Sequence, residues 1–170
     1  MPLLYNDNVK VGKNMARTKV KKERVLTKTE EKRKAHYPET STFHWYNANQ
    51  KGKLDGDCVF RAMATVLDTT WEEVIREMCE MSIKTGYCIN GRKNIAKYLE
   101  SKGFVKHAQP RDYDNSKITI KQFLLENRDW LKGKKLFVNA GSGHVAAIVD
   151  GKVWDTWDST WTKIGNYWIR

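Results

Sequence analysis

Residues 144–155 read His-Val-Ala-Ala-Ile-Val-Asp-Gly-Lys-Val-Trp-Asp, and this stretch indicates how the end of the chain folds. Two short apolar runs are separated by Asp150 and Gly151, a pair that favours a two-residue type I′ turn because both positions need a positive φ. The stretch therefore predicts an antiparallel hairpin in which Val149 pairs with Lys152.

Before the hairpin, the apolar residues recur at a spacing of three and four, which is typical of helices that bury one face. This spacing is clear in 58–67, and Asp57 stands where an N-cap residue would. Thr70 and Thr119 begin two further helices, each in a capping box with Glu or Gln. Helices followed by antiparallel strands predict the α+β class. The predicted helices start at 58, 70, 90 and 119, the last of them ending at 131. The predicted strands cover 135–139, 144–149, 152–155 and 166–170.

Length and composition limit the class of molecule. The chain has 170 residues, 40% hydrophobic and 30% charged, which fits one domain plus a tail. Seven Trp, seven Tyr and five Phe exclude a fully disordered chain, because such chains carry few aromatic residues. No run approaches a length of about 20 apolar residues, which a membrane-spanning helix needs, so we expect no membrane partner.

Most of the positive charge lies in the N-terminal third. The whole chain has a formal net charge of +11, and residues 1–53 contain 13 Lys and Arg against 5 acidic residues. Residues 10–34 hold few large apolar side chains, so they cannot bury enough surface to offset the entropy of ordering. We therefore predict a basic, flexible N-terminal arm over 1–43 and a domain over 44–170. Residues 1–40 either bind nucleic acid or an acidic partner, or are simply solvated.

Cys58 has the strongest chemical signal. It is predicted to open a mostly apolar helix, where unpaired N–H groups and partial positive charge favour thiolate over thiol. That position suits a nucleophile and leaves the backbone N–H of Cys58 available to an oxyanion. No signal peptide is evident, so we expect a reducing, cytoplasmic setting. Cys79 and Cys88 lack a comparable setting and are predicted to be packing residues.

A base and an orienting carboxylate are found in the hairpin. His144 opens a strand after Gly-Ser-Gly, so its imidazole should lie at the rim of the sheet with space for a substrate. In the predicted register Asp155 lies opposite Ala146, on the same face as His144 and within reach of its imidazole. A carboxylate so placed can orient a catalytic imidazole. Asp158 is the alternative to Asp155.

Metal and cofactor sites are poorly supported by the sequence. A zinc site formed by Cys79, Cys88 and His107 would lack the close Cys-x-x-Cys pair of structural zinc sites. No glycine-rich stretch matches a phosphate-binding loop. We therefore expect neither a metal nor another cofactor.

The motifs around the cysteine and the histidine resemble those of a known superfamily. The matching segments are Gly56-Asp-Cys-Val-Phe-Arg-Ala-Met-Ala64, Thr70-Trp-Glu-Glu-Val74 and Gly143-His-Val-Ala-Ala-Ile-Val-Asp-Gly-Lys-Val-Trp-Asp-Thr-Trp-Asp158. Together they resemble small phage-encoded proteins of the papain-like cysteine peptidase superfamily, and the Asp-Cys and Gly-His motifs are similar to those of bacteriocin-processing (double-glycine) peptidases. The resemblance spans 45–170. It implies a papain-like fold, with the nucleophile at a helix start in an N-terminal helical part that packs on a C-terminal antiparallel sheet.

Carried over residue by residue, the resemblance implies that Cys58 is the nucleophile, His144 the general base and then acid, and Asp155 the residue that orients the imidazole. The expected protein is a thiol hydrolase, a cysteine peptidase or amidase that cleaves an amide or isopeptide bond of a peptide or protein substrate. It would act in the host cytoplasm or be packaged in a virion. The alternative is a non-catalytic papain-like binding module, virion-associated or bound to nucleic acid through its basic arm.

The resemblance leaves the oxyanion residue open. The family usually has a Gln a few positions before the cysteine, where this chain has Gly52. Gln50 is the preferred candidate, and Asn47 and Asn49 are the alternatives. Side-chain amides of this kind donate hydrogen bonds to the developing oxyanion.

Overall fold

The computed structural model describes residues 24–170, which form five helices and a six-stranded sheet. The helices are α1 Lys28–His36, α2 Cys58–Leu67, α3 Trp71–Thr85, α4 Arg92–Ser101 and α5 Ile120–Glu126. The strands are β1 Phe43–Trp45, β2 Val105–His107, β3 Lys135–Ala140, β4 His144–Val149, β5 Lys152–Asp155 and β6 Ile164–Ile169. The predicted α+β class is confirmed. Within the described residues, none of the helices combines the length and apolar character needed to cross a bilayer.

The β4–β5 hairpin has the predicted register. Val149 pairs with Lys152, and Asp150 and Gly151 have φ values of 49° and 73°, as a type I′ turn requires. The strand order in the sheet is β1-β5-β4-β3-β6-β2. Strands β3 to β6 are antiparallel as predicted, and β1 adds a parallel edge beside β5. The sequence pattern does not indicate β1 or β2, because strands of three residues are too short to show an alternation.

Alternate residues of the central strand enter two separate hydrophobic cores. Val145 and Ala147 of β4 belong to a core shared with α2, α3 and α4, whereas Ala146 and Ile148 belong to a core shared with α5 and β1. Both faces of the sheet are therefore covered. Helix α2 packs directly on β4. This packing places the first residue of the helix beside the first residues of the strand.

The helix starts follow the predicted caps, but one helix ends early. The side chains of Thr70 and Thr119 each accept a hydrogen bond from the backbone N–H three residues later, at 3.1 Å. Helix α5 ends before residue 131, the predicted end. There the side-chain amide of Asn127 donates to the Phe123 carbonyl at 2.9 Å. A local side-chain bond of this kind competes with continuation of the helix.

The structure differs from the predicted flexible arm over residues 24–43. Thr27 and Glu30 form a capping box at the start of α1, and Glu30 is fully buried. Its carboxylate accepts hydrogen bonds from Arg24 and Asn47, both at 2.8 Å, and the bond from Asn47 ties α1 to the segment after β1. Apolar periodicity misses this helix because polar bonds, not an apolar face, hold it in place. The remainder of the predicted arm lies outside the described residues.

Candidate active site

Cys58 is half-buried at the N-terminus of α2, where the sequence predicts it. The His144 side chain and the backbone N–H of Val145, the first two residues of β4, lie beside its thiol and act on it electrostatically. The start of a helix and the start of a strand thus meet at one point. The structure brings together two residues that are far apart in the sequence.

Asp155 holds the imidazole of His144. The distance between His144 Nε2 and Asp155 Oδ2 is 2.6 Å, and the Asp155 side chain is buried. Because the carboxylate occupies Nε2, Nδ1 is the nitrogen left to face the Cys58 sulfur. The ring of Trp157 lies against the imidazole, with 4.9 Å between the ring centroids. Cys58, His144 and Asp155 therefore form a connected series of thiol, imidazole and carboxylate.

Further hydrogen bonds fix the orientation of the Asp155 carboxylate. Oδ1 accepts from the backbone N–H of Thr156 at 2.7 Å, and Arg61 Nη2 lies 3.8 Å away from it. Oδ2 accepts from Ser159 Oγ at 3.2 Å in addition to its bond with the imidazole. A carboxylate held at both oxygens cannot turn away from the imidazole without losing several partners.

The charges in this cluster favour a thiolate beside an imidazolium. Burial by itself would raise the pKa of Cys58, but the hydrogen bonds from His144 and Val145 and the imidazolium charge together lower it. Burial by itself would lower the pKa of His144, but its bonds to Asp155 and Cys58 and their negative charges raise it to about 9. Because each charge stabilises the other, the two groups titrate as a pair.

The sequence prediction misses a buried ion pair next to this cluster. Arg61, one turn after Cys58, is ion-paired with Asp57, and both side chains are buried. Asp57 occupies the N-cap position as predicted, but its side chain makes no capping bond. It accepts instead from Asn49 Nδ2 at 2.8 Å. The sequence does contain a pattern that indicates this ion pair: an arginine within a mostly apolar helix, four residues after an aspartate.

The oxyanion residue stays a prediction. Gln50 is exposed and lies in a turn between β1 and α2. Asn47 and Asn49 are buried in the same segment, and their side-chain amides donate to Glu30 and to Asp57, each at 2.8 Å. The fold therefore already uses the amides of both alternatives.

Asp158 and the two other cysteines have different surroundings. Asp158 accepts two hydrogen bonds from Thr160, its neighbour in the same turn, at 3.0 and 2.6 Å. The imidazole is therefore held by Asp155 and not by the alternative.

Cys79 is half-buried, but Cys88 is exposed, so the predicted packing role of Cys88 is wrong. Across the part of the chain that the structure describes, no group of three or more His, Cys, Asp or Glu side chains is placed to hold a metal ion.

Comparisons of the chain with protein-family models, with curated proteins and with solved structures found no match.

Proposed function

We propose that the chain is a phage-encoded thiol hydrolase of the papain-like kind, a cysteine peptidase or amidase that acts in the host cytoplasm or from a virion. One observation carries the catalytic part of this proposal: the His144 imidazole, bonded to the Asp155 carboxylate at 2.6 Å, lies beside the Cys58 thiol. A nucleophile within reach of a base that a third group orients is the signature of covalent catalysis. The substrate class is an amide or isopeptide bond in a peptide or protein.

The first half-reaction forms a thioester. The Cys58 thiolate attacks the carbonyl carbon of the amide, and a C–S bond forms. Negative charge moves to the carbonyl oxygen, where the backbone N–H of Cys58 and the amide of Gln50 are the proposed donors. The His144 imidazolium then donates a proton to the amide nitrogen as the C–N bond breaks, and the amine leaves.

The second half-reaction restores the enzyme. The neutral imidazole of His144 takes a proton from water as the water oxygen attacks the thioester carbon. The C–S bond breaks, the acid product leaves, and the thiolate and imidazolium form again. Asp155 keeps its bond to Nε2 throughout, so the ring presents the same nitrogen in both half-reactions.

The order and placement of the elements support the papain-like part of the proposal. The proposed nucleophile opens α2, and the base and the orienting carboxylate follow on the neighbouring strands β4 and β5. Helix α2 packs on β4, and the strands β3 to β6 are antiparallel. A helical part that carries the nucleophile and a later antiparallel sheet that carries the base are what the resemblance implies.

Selective alkylation tests the proposed nucleophile. The native protein is treated with iodoacetamide at about pH 6, where ordinary thiols are almost fully protonated, and the modified sites are identified by mass spectrometry. Cys88 is exposed and Cys58 is half-buried, so accessibility alone would make Cys88 react first. An activated Cys58 reverses that order.

Two variants complete this test. His144→Gln should slow the reaction at Cys58 and leave the rate at Cys88 unchanged, because the imidazole lowers the pKa of the Cys58 thiol. Turnover is measured on a pool of peptides by mass spectrometry of newly formed termini, with Cys58→Ala as the inactive control. Faster alkylation at Cys88 than at Cys58 in the unmodified protein would contradict the proposal.

A non-catalytic binding module is the second candidate function. Residues 1–23 contain 6 Lys and Arg against 2 acidic residues, a balance that favours contact with nucleic acid. Because residues from Arg24 onward take part in the fold, the deletion that tests this candidate should stop at residue 23. The candidate predicts salt-sensitive binding to nucleic acid that this deletion abolishes and that Cys58→Ala leaves unchanged.

A further inference from the structure

Arg61 is a buried cation between two parts of the candidate site. It lies in the mostly apolar helix α2, and although it is charged it is only 7% exposed. Nη1 is bonded to Asp57 Oδ1. Nη2 lies 3.8 Å from Asp155 Oδ1 and 3.5 Å from Thr156 Oγ1. The guanidinium therefore joins the residue before the nucleophile to the residue that holds the base.

Packing alone does not account for a charge at this position. Burying a guanidinium carries a desolvation cost, and an apolar side chain of similar volume often serves stability as well or better. The neighbours of Arg61 along α2 include Met63 and Ala64, which are apolar and buried in the first core. What distinguishes the position of Arg61 is that two buried carboxylates, Asp57 and Asp155, converge on it.

We propose that Arg61 is a positioning residue for the Cys58–His144 pair: anchored on Asp57, it holds the Asp155 carboxylate turned towards the imidazole. This inference rests on the proposed thiol hydrolase function. It adds a positioning side chain to Cys58, His144 and Asp155. Arg61 acts through Asp155 and does not touch the reacting atoms.

The arrangement of hydrogen bonds around Asp155 explains how this works. Arg61 and the backbone N–H of Thr156 are on the Oδ1 side, and His144 and Ser159 are on the Oδ2 side. The guanidinium is itself held by its bond to Asp57, so its position is set from the start of the helix that also carries the thiol. Helix α2 thereby positions both the nucleophile and, indirectly, the carboxylate that holds the base.

Removal of Arg61 changes the charge balance around Asp155. The charged groups that act on Arg61 are Asp57 at the start of its own helix, Asp155 at the end of β5, and Arg33 of α1. Without the guanidinium, the two buried carboxylates lose their shared cation, and the Asp155 carboxylate is free to turn towards another partner. Such a turn weakens the support of the imidazolium, and with it the stabilisation of the Cys58 thiolate.

The test measures the rate of Cys58 alkylation by iodoacetamide as a function of pH in Arg61→Met and Arg61→Lys. For Arg61→Met we expect the midpoint of the alkylation rate against pH to rise by about one pH unit. Below that midpoint, alkylation of Cys58 should be about tenfold slower. Arg61→Lys should fall between the unmodified protein and Arg61→Met, because lysine keeps the charge but not the fork that reaches two carboxylates. Lys102→Met is the matched control, since it removes an ion pair between the residue that follows α4 and Glu77 of α3.

Thermal unfolding of the same variants separates positioning from stability. A lower midpoint temperature with an unchanged pH midpoint in Arg61→Met would overturn the inference and leave Arg61 a structural residue. If Cys58 is not selectively alkylated in the unmodified protein, the proposed function is the idea that fails. Lys102→Met should leave the pH midpoint where it is, and a shift as large as that of Arg61→Met would also count against the inference.

A second variant covers failure of Arg61→Met to fold. Asp57→Asn combined with Arg61→Met removes one of the two carboxylates together with the cation, so no unpaired charge is left at the start of α2. Asp155 still lacks its cation in this double variant. We therefore expect the same upward shift of the alkylation midpoint, and an unshifted midpoint would overturn the inference.

Discussion

Asp155→Asn tests how the fold makes His144 a base and an acid. The substitution keeps the size of the side chain and an oxygen for the Thr156 N–H, but it removes the negative charge at 2.6 Å from Nε2. Because this charge is one of the causes that raise the pKa of His144, the pKa should fall in the variant. The thiolate of Cys58 should lose its imidazolium partner in turn.

The size of the effect follows from the raised pKa of His144. With a pKa of about 9, about nine tenths of the imidazole is protonated at pH 8. At the ordinary pKa of about 6.5, only about three hundredths would be protonated, a loss of about thirtyfold. Cys58 also contributes to the raised pKa of His144. We therefore expect the titration midpoint of His144 to fall by at least about one pH unit, and the protonated fraction at pH 8 to fall by less than about thirtyfold.

The assay is an NMR titration of the histidine side chains in isotope-labelled protein. The chain has four histidines, and the spectrum of His144→Gln identifies the resonance that belongs to His144. The alkylation rate of Cys58 is followed over the same pH range in parallel. In Asp155→Asn the alkylation rate should fall near neutral pH, because at that pH a thiol without an imidazolium partner is mostly protonated.

Asp158→Asn is the matched control for this experiment. It makes the same chemical change in the same segment, but the Asp158 carboxylate bonds to Thr160 and not to the imidazole. An unchanged His144 midpoint in Asp155→Asn would refute the reasoning. So would an equal shift in both variants, because a general change of charge would then explain the result.

Three further predictions concern the parts of the fold that support the site. Gly52 has a φ of +68°, and a Cβ atom there would lie 2.7 Å from the side chains of Glu30 and Thr27, so Gly52→Ala should lower the free energy of unfolding by about 1–3 kcal/mol in urea. Burial would raise the pKa of Glu30, but its bonds to Arg24 and Thr27 hold it at about 2. The stability that ionised Glu30 contributes is therefore present above its ordinary pKa of 4.5 and is lost as the pH falls towards 2. Glu30→Gln should accordingly cost about 2 kcal/mol at neutral pH, with the cost shrinking in acid, as thermal unfolding would show; a constant difference would contradict this. Met63 lies on the buried face of α2 and is fully buried, so Met63→Ala should cost about 2–5 kcal/mol in urea unfolding, and a loss far below that range would mean that the core closes around the gap.

The parts of the site that depend on neighbouring residues could be predicted from the sequence. The Asp150-Gly151 turn sets the pairing of β4 with β5, and that pairing alone places Asp155 on the same face as His144. The apolar spacing of α2 likewise predicts that Cys58 opens a helix. Turn chemistry and periodicity are local properties, so a single sequence is enough to read them.

The surroundings of these residues could not be predicted, because non-local contacts decide them. Helix α1 lacks an apolar face and is held by the buried carboxylate of Glu30, whose partner Asn47 lies beyond the next strand. Strand β1, of three residues, pairs in parallel with β5, of four residues. No local sequence pattern predicts a parallel pairing between two short strands that are far apart in the chain. The same limit applies to Arg61, whose second carboxylate, Asp155, belongs to the far end of the chain.

The sequence by itself determined the helix that starts at Cys58, the hairpin, and the shared face of His144 and Asp155. Each of these follows from residues that are close to one another in the sequence. Only the tertiary structure decided that the thiol meets the imidazole, and that a buried arginine stands between two carboxylates beside them. The packing of α2 on β4 brings these groups together. Contacts of that kind depend on the whole core, and no segment of the sequence contains them alone.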